Sequence, residues 1–107
     1  MQRIGFLLKV KQEKIEEYKI HHTAVWQEML DALSRHGWCN YSLFMRPDGL
    51  IFGYFETENL DAARAGISKE EVNTRWQAFM APYFEDIGGG KQADKISMTL
   101  EEVFHLD

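Results

Sequence analysis

Tyr18 and His22 stand four residues apart in a segment whose apolar residues, Ile15, Val25, Trp26, Met29 and Leu33, recur every three or four positions. Residues i and i+4 stack on one helix face, so a phenol and an imidazole would project together from the stripe that packs inward. An imidazole, with an ordinary pKa of about 6.5, gives and takes protons near neutrality, and a neighbouring hydroxyl can share that exchange. The same pattern also fits two polar core residues satisfied by backbone hydrogen bonds. His21 points about 100° away on the same helix, beside Glu17 and Glu28, and is expected in solvent.

Rings with a polar tip are the second informative class. A pyranose has apolar C–H faces and a rim of hydroxyls, which Tyr41 and Trp76 beside a proton-exchanging histidine would suit; Trp26 and Tyr83 read as core. A metal centre finds little support. His21 and His22 diverge on a helix, no His-x-x-x-His spacing occurs, and Cys39 is the lone cysteine. That single thiol also rules out an intrachain disulfide and fits a reducing compartment, so the cytoplasm is expected. Twelve Lys and Arg against seventeen Asp and Glu give a net charge of −5, with no basic run, which argues against a nucleic-acid partner. No stretch approaches the roughly 20 apolar residues of a membrane span. Gly88-Gly89-Gly90 lacks the Gly-Lys-Ser/Thr ending of a phosphate loop.

The elements that must position these residues follow from periodicity. The chain has 107 residues, 45% hydrophobic and 27% charged, which predicts one domain over 1–107. Ile4, Phe6, Leu8 and Val10 alternate with Arg3, Gly5, Leu7 and Lys9 and predict a strand over 3–10. One long helix is expected over about 12–36, ended by Gly37. Pro47-Asp48-Gly49 separates two further strands as a hairpin. A short helical piece over 59–65 is expected to stop at Gly66, and Ser68-Lys69-Glu70-Glu71 has the form of a capping box opening a helix with Val72, Trp76, Phe79, Met80 and Tyr83 inward. Residues 86–95 read as a loop or lid, and 98–106 as a last strand.

The order β-α-β-β-α-β is the split βαβ arrangement of ferredoxin-like α+β folds, an antiparallel sheet with helices on one face. Apolar residues nevertheless stand on both faces of the strands, as Leu7 with Phe6, Phe44 with Leu43 and Phe55 with Phe52. An open sheet face should be polar, so two sheets are expected to pack face to face in a homodimer, a dimeric α/β barrel with Phe44 and Phe55 at the junction.

The series Glu17-Tyr18-x-x-x-His22-x-x-x-Trp26-x-Glu28, with His36-Gly37, Asn40-Tyr41, Arg75-Trp76, Met80 and Glu102-Val103-Phe104-x-Leu106, resembles the L-rhamnose mutarotases over nearly the whole chain. The resemblance implies a cytoplasmic ferredoxin-like dimer that interconverts the α and β anomers of L-rhamnose or a closely related sugar, without cofactor or metal. It implies His22 as proton donor and Tyr18, Tyr41, Trp76 and Gln77 as sugar contacts. The chain departs from the family pattern at Gln77, where a second tryptophan is typical, and at His105, where tyrosine is. An amide at 77 can hydrogen-bond a hydroxyl where the family would stack a ring. The rival expectation for such a fold is a cofactor-free monooxygenase or a small ligand-binding module, since dimeric barrels host many functions.

Overall fold

In the computed structural model, which describes residues 1–85 and 97–107, the opening alternation becomes β1 (Gln2–Val10), with Ile4, Phe6, Leu8 and Val10 buried. The expected hairpin forms β2 (Cys39–Met45) and β3 (Leu50–Thr57). Its turn is tight because Gly49 takes φ +95°, a left-handed value open to glycine, while the Asp48 carboxylate accepts from the Leu50 N–H at 3.2 Å. β3 pairs antiparallel with β1 from Gln2↔Thr57 to Lys9↔Leu50. Two short segments, β4 (Phe84–Glu85) and β5 (Met98–Leu100), share the other edge of β1, giving the order β2-β3-β1-β4 with β5 also on β1. The last strand, expected over 98–106, therefore stops at Leu100. Beyond it the Arg3–Glu102 ion pair, 2.9 Å, ties the tail to β1, and Val103, Phe104 and Leu106 stand exposed. The loop expected at 86–95 lies outside the described residues.

The long helix expected over 12–36 is two helices. After a 3₁₀ turn at Gln12–Lys14, α1 (Ile15–His22) ends where the Thr23 hydroxyl donates to the Ile20 carbonyl at 2.7 Å, and Trp26, at φ −55° and ψ 132°, opens α2 (Gln27–Arg35). Threonine and valine are weak helix formers, and the Thr23 hydroxyl adds a local partner to a helical carbonyl. The apolar spacing runs on across the break and conceals it. Gly37 takes φ +84° just past α2, as its position predicts.

α3 (Leu60–Ser68), capped by Asn59 accepting from the Ala62 N–H at 3.1 Å, runs through Gly66 instead of stopping there. The glycine serves a contact: a β-carbon at 66 would collide with the His36 ring. Because α3 reaches Ser68, that hydroxyl donates to the Ala65 carbonyl at 2.8 Å, and α4 (Glu71–Met80) begins without the expected capping box.

The helices cover one sheet face, where Met29, Ala32, Ile67, Val72, Trp76 and Met80 meet Ile4, Phe6, Leu8, Ile51 and Phe55. On the other face Phe44 and Phe52, 61% and 41% exposed, lie with ring centroids 6.5 Å apart. Phe55, expected on that face, is buried instead and stacks on Trp38 at 4.0 Å. A slip of one residue in assigning alternation puts the wrong phenylalanine outside.

Gly53 pairs with Phe6 across the β1–β3 ladder, and a β-carbon there would run into the Phe6 ring. Gly53→Ala is expected to lower the unfolding free energy in a urea titration by about 1–3 kcal/mol, the usual cost of overpacking. Phe6→Leu in the same chain should recover part of it.

Candidate active site

Between the helices and the sheet lies a cavity of about 600 Å³, a size suited to a small molecule. Tyr18, His22, Tyr41, Trp76 and Gln77 all line it, with Phe6 also in its wall. These six residues come from α1, α4, β1 and β2, so two helices and two strands bring them to one space.

His22 closes α1, and its ring stacks on that of Tyr18 with centroids 4.0 Å apart and planes 25° apart. Its Nδ1 lies 3.0 Å from the Tyr18 carbonyl oxygen. A carbonyl only accepts, so Nδ1 carries a proton and donates, which leaves Nε2 as the nitrogen for proton exchange. His22 is thus satisfied by backbone and also lines the cavity. Burial holds the His22 pKa below its ordinary value; the bond to the Tyr18 carbonyl opposes that shift, and the nearby charge of His21 adds to it. Burial also pushes the Tyr18 phenol well above its usual range, which makes it a hydrogen-bonding hydroxyl and a poor source of phenolate.

Tyr41 is aimed by an irregularity in β2. The β2–β3 register shifts between Cys39 and Ser42, and Asn40 takes φ 49°, held by its amide donating to Glu56 at 3.2 Å. A bulge of this kind re-aims a side chain, and Tyr41 lies against Trp38, Phe55 and Phe6 at 5.5, 5.7 and 6.2 Å. The surrounding rings desolvate its phenol and push the pKa up to about 12.

Trp76 presents its ring edge-on to His22 at 5.6 Å and to Trp26 at 5.0 Å. Arg75 braces this group from outside, its guanidinium 5.9 Å from the Trp26 ring and 3.2 Å from Glu28. The Gln77 Nε2 donates to Asn73 Oδ1 at 3.1 Å, and its buried Oε1 has no partner among the described residues. Asn73, buried and lining the same cavity, escaped the sequence reading. The available signal was an amide four residues before Gln77, on the inward stripe beside Val72.

His21, expected in solvent, packs edge-on against Phe79 at 4.8 Å and Tyr83 at 5.7 Å, because the helix break leaves room for α4 beside it. His36 is bound to Glu70 at 2.6 Å, away from the cavity. Among the described residues no three His, Cys, Asp or Glu side chains gather as a metal ion requires.

A family model described as L-rhamnose mutarotase matches residues 3–106. The chain belongs to the L-rhamnose mutarotase family. Within this mutarotase family, the L-rhamnose mutarotases of Bacillus subtilis and Oceanobacillus iheyensis are 36% and 33% identical to it, each alignment covering 100% of both chains. A crystal structure of the L-rhamnose mutarotase from Formosa agariphila shares the fold at a TM-score of 0.82, with 23% identity and 100% of both chains covered. A protein from Nitrosomonas europaea described as an antibiotic biosynthesis monooxygenase matches at a TM-score of 0.60 and 11% identity, covering 96% of this chain and 100% of that one. The α+β class, an antiparallel half-barrel sheet with helices, is borne out by these likenesses, which speak for fold alone.

The depressed His22 pKa is directly observable in this mutarotase-family chain. An NMR titration of the His22 ring protons is expected to show a midpoint below 6.5, and His22 in urea-unfolded protein should return to about that value. A folded midpoint at or above the unfolded one would contradict the desolvated site.

Proposed function

We propose that the chain interconverts the α and β anomers of L-rhamnose by opening and reclosing the pyranose ring, with His22 as proton donor. What supports this reading is the convergence of Tyr18, His22, Tyr41, Trp76 and Gln77 on one cavity, in a chain whose full-length relatives carry that name. In the opening step the imidazolium of His22 gives the Nε2 proton to the ring oxygen while the C1–O bond to that oxygen breaks. The anomeric oxygen forms the aldehyde C=O, and its proton passes to a water, with the Tyr18 hydroxyl beside it as hydrogen-bond partner. Rotation about C1–C2 and the reverse proton transfers give the other anomer. Substrate and product are isomers and only protons move, so the reaction demands neither cofactor nor metal. Trp76 offers an apolar edge to the C–H faces, and Tyr41 and Gln77 address hydroxyls.

The active unit in this reading is the whole chain, 1–107, as a cytoplasmic homodimer. The exposed thiol of Cys39 suits a reducing compartment, and no helix among the described residues is long and apolar enough to cross a membrane. Leu7, Phe44, Phe52, Met98 and Leu100 form a continuous apolar sheet face, since Met98 and Leu100 pair with Leu7 and Gly5. A second copy of the same face is the natural cover for such a surface.

Saturation transfer between the two anomeric protons of L-rhamnose measures the exchange. His22→Ala is expected to slow it by about 10²–10⁴-fold, the usual contribution of a general acid–base group, and His21→Ala by far less. Because the donor is the imidazolium, the rate should fall as pH rises through the His22 pKa, below its ordinary value. A rate that rose through that range would identify the neutral ring as a base. Oxygen uptake in place of exchange would put the chain with the monooxygenases of the same fold.

Light scattering at micromolar concentration is expected to give twice the chain mass of 12.5 kDa. Phe44→Glu with Phe52→Glu should return a folded monomer. Phe55→Glu would unfold the core rather than split a dimer, since that ring is buried.

A further inference from the structure

The cavity contains one polar feature that the five expected residues do not explain. Asn73 and Gln77 are one turn apart on α4, and the Gln77 Nε2 donates to Asn73 Oδ1 at 3.1 Å. That bond occupies the donor end of one amide and the acceptor end of the other. Left over are the Nδ2 of Asn73, the donor end that this bond does not use, and the Oε1 of Gln77, a buried acceptor without a partner among the described residues. Both residues line the cavity. A buried amide oxygen without a partner is costly unless something fills the place, and the two unmatched ends are of opposite kind.

We propose that Asn73 and Gln77 act as a couple that reads one hydroxyl of the sugar, Asn73 donating to its oxygen and Gln77 accepting its proton. A hydroxyl is the group that can answer both ends, because it carries a donor and lone pairs together. A methyl or a ring C–H would leave both ends unpaired, and a carbonyl would leave the Gln77 oxygen unpaired. The couple therefore selects for the hydroxyl pattern of the sugar and adds Asn73 to the specificity-determining residues. Its internal bond fixes both amides, so the ends are set before the sugar arrives. This inference rests on the sugar-exchange reading of the cavity and deepens it.

The test compares L-rhamnose with its 2-deoxy, 3-deoxy and 4-deoxy analogues in the exchange assay, using the unmodified protein, Asn73→Leu, Gln77→Leu and the double variant. Removal of the hydroxyl that the couple reads should lower kcat/KM of the unmodified protein by about three- to tenfold or more. Each variant should lower kcat/KM on L-rhamnose by a similar factor, while on that one deoxy sugar it costs less than twofold. The double variant should lose little more than either single one, because the amides work as a unit. A second measurement stands apart from activity: the Asn73 side-chain NH₂ signals should shift on adding L-rhamnose and stay in place with the deoxy sugar that lacks the read hydroxyl. Asn73 is buried, so thermal unfolding checks that its variant folds, and the half-buried Gln77 carries the test if it does not. Equal losses on all four sugars, or the same discrimination in every variant, would make the pair a structural contact and overturn the proposal. If the unmodified protein exchanges no sugar, the activity reading fails, and the NH₂ shifts alone decide whether the couple binds a hydroxyl.

Discussion

The edge of one indole holds the cavity open. Trp76 meets Trp26 at 5.0 Å and His22 at 5.6 Å, so a single side chain on α4 fixes both the end of α1 and the start of α2. Edge-to-face contacts suit this task because the ring quadrupoles favour a tilted approach, which keeps the helices apart as well as together. A close-packed interior would otherwise fill the space. The break at Thr23 falls between these two contacts, so α1 and the start of α2 each meet Trp76 through one ring. Arg75 and Glu28 then close the outside of the cluster with an exposed ion pair, a weak contact whose value lies in where it sits.

His22 shows how the fold sets chemistry through two opposed effects. Burial disfavours the imidazolium, while the Tyr18 carbonyl accepts from Nδ1 in either protonation state and steadies the charged form. Burial wins, so the cation is scarcer near neutrality and correspondingly a stronger acid. The carbonyl also fixes which nitrogen is left unbonded, a choice the sequence spacing of Tyr18 and His22 does not specify. Tyr18 contributes twice, by its backbone to the tautomer and by its ring to the stacking. Its desolvated phenol stays protonated, which keeps a hydroxyl beside the imidazole across the working range.

Much of this was legible in the residues, and the exceptions have physical causes. Strict alternation marked β1, and the Pro-Asp-Gly turn marked the hairpin, because both are dictated within a few residues. Of the candidate site residues, Tyr18 and His22 were legible as polar intruders on an apolar stripe and Tyr41 and Trp76 as rings with a polar tip, and the family resemblance added Gln77. The helix break was not, since apolar spacing reports which face is inward and says nothing of whether the backbone is continuous. Gly66 misled for a related reason: a glycine that ends a helix and one that admits a neighbouring ring look alike until His36 is in place. Phe55 and Phe52 were exchanged because a buried strand apolar on both faces has no polar residue to fix its phase. Asn73 was missed because an amide on an inward stripe declares itself only when its partner, four residues on, is seen to leave an end unmatched.

The two fold likenesses locate where function is decided. A scaffold that matches a protein described as a monooxygenase at 11% identity and a mutarotase at 23% carries no commitment to either chemistry in its sheet. Differences in task must therefore lie in the side chains that face the cavity, among them Tyr18 and His22 from α1, Tyr41 from β2, and Asn73, Trp76 and Gln77 from α4. The proposed proton-exchanging end, Tyr18 and His22, sits on α1, the two residues one turn apart with their rings stacked. The opposite wall sits on α4, where Trp76 is held by packing and Gln77 by another amide. A change at 77 therefore leaves the contacts of the imidazole untouched, since Gln77 bonds to Asn73 and His22 to the Tyr18 carbonyl. In the proposed reading, chemistry and sugar recognition are thereby physically separable on this scaffold, the arrangement in which a tryptophan-to-glutamine difference from the family pattern alters what is held without altering what is done to it.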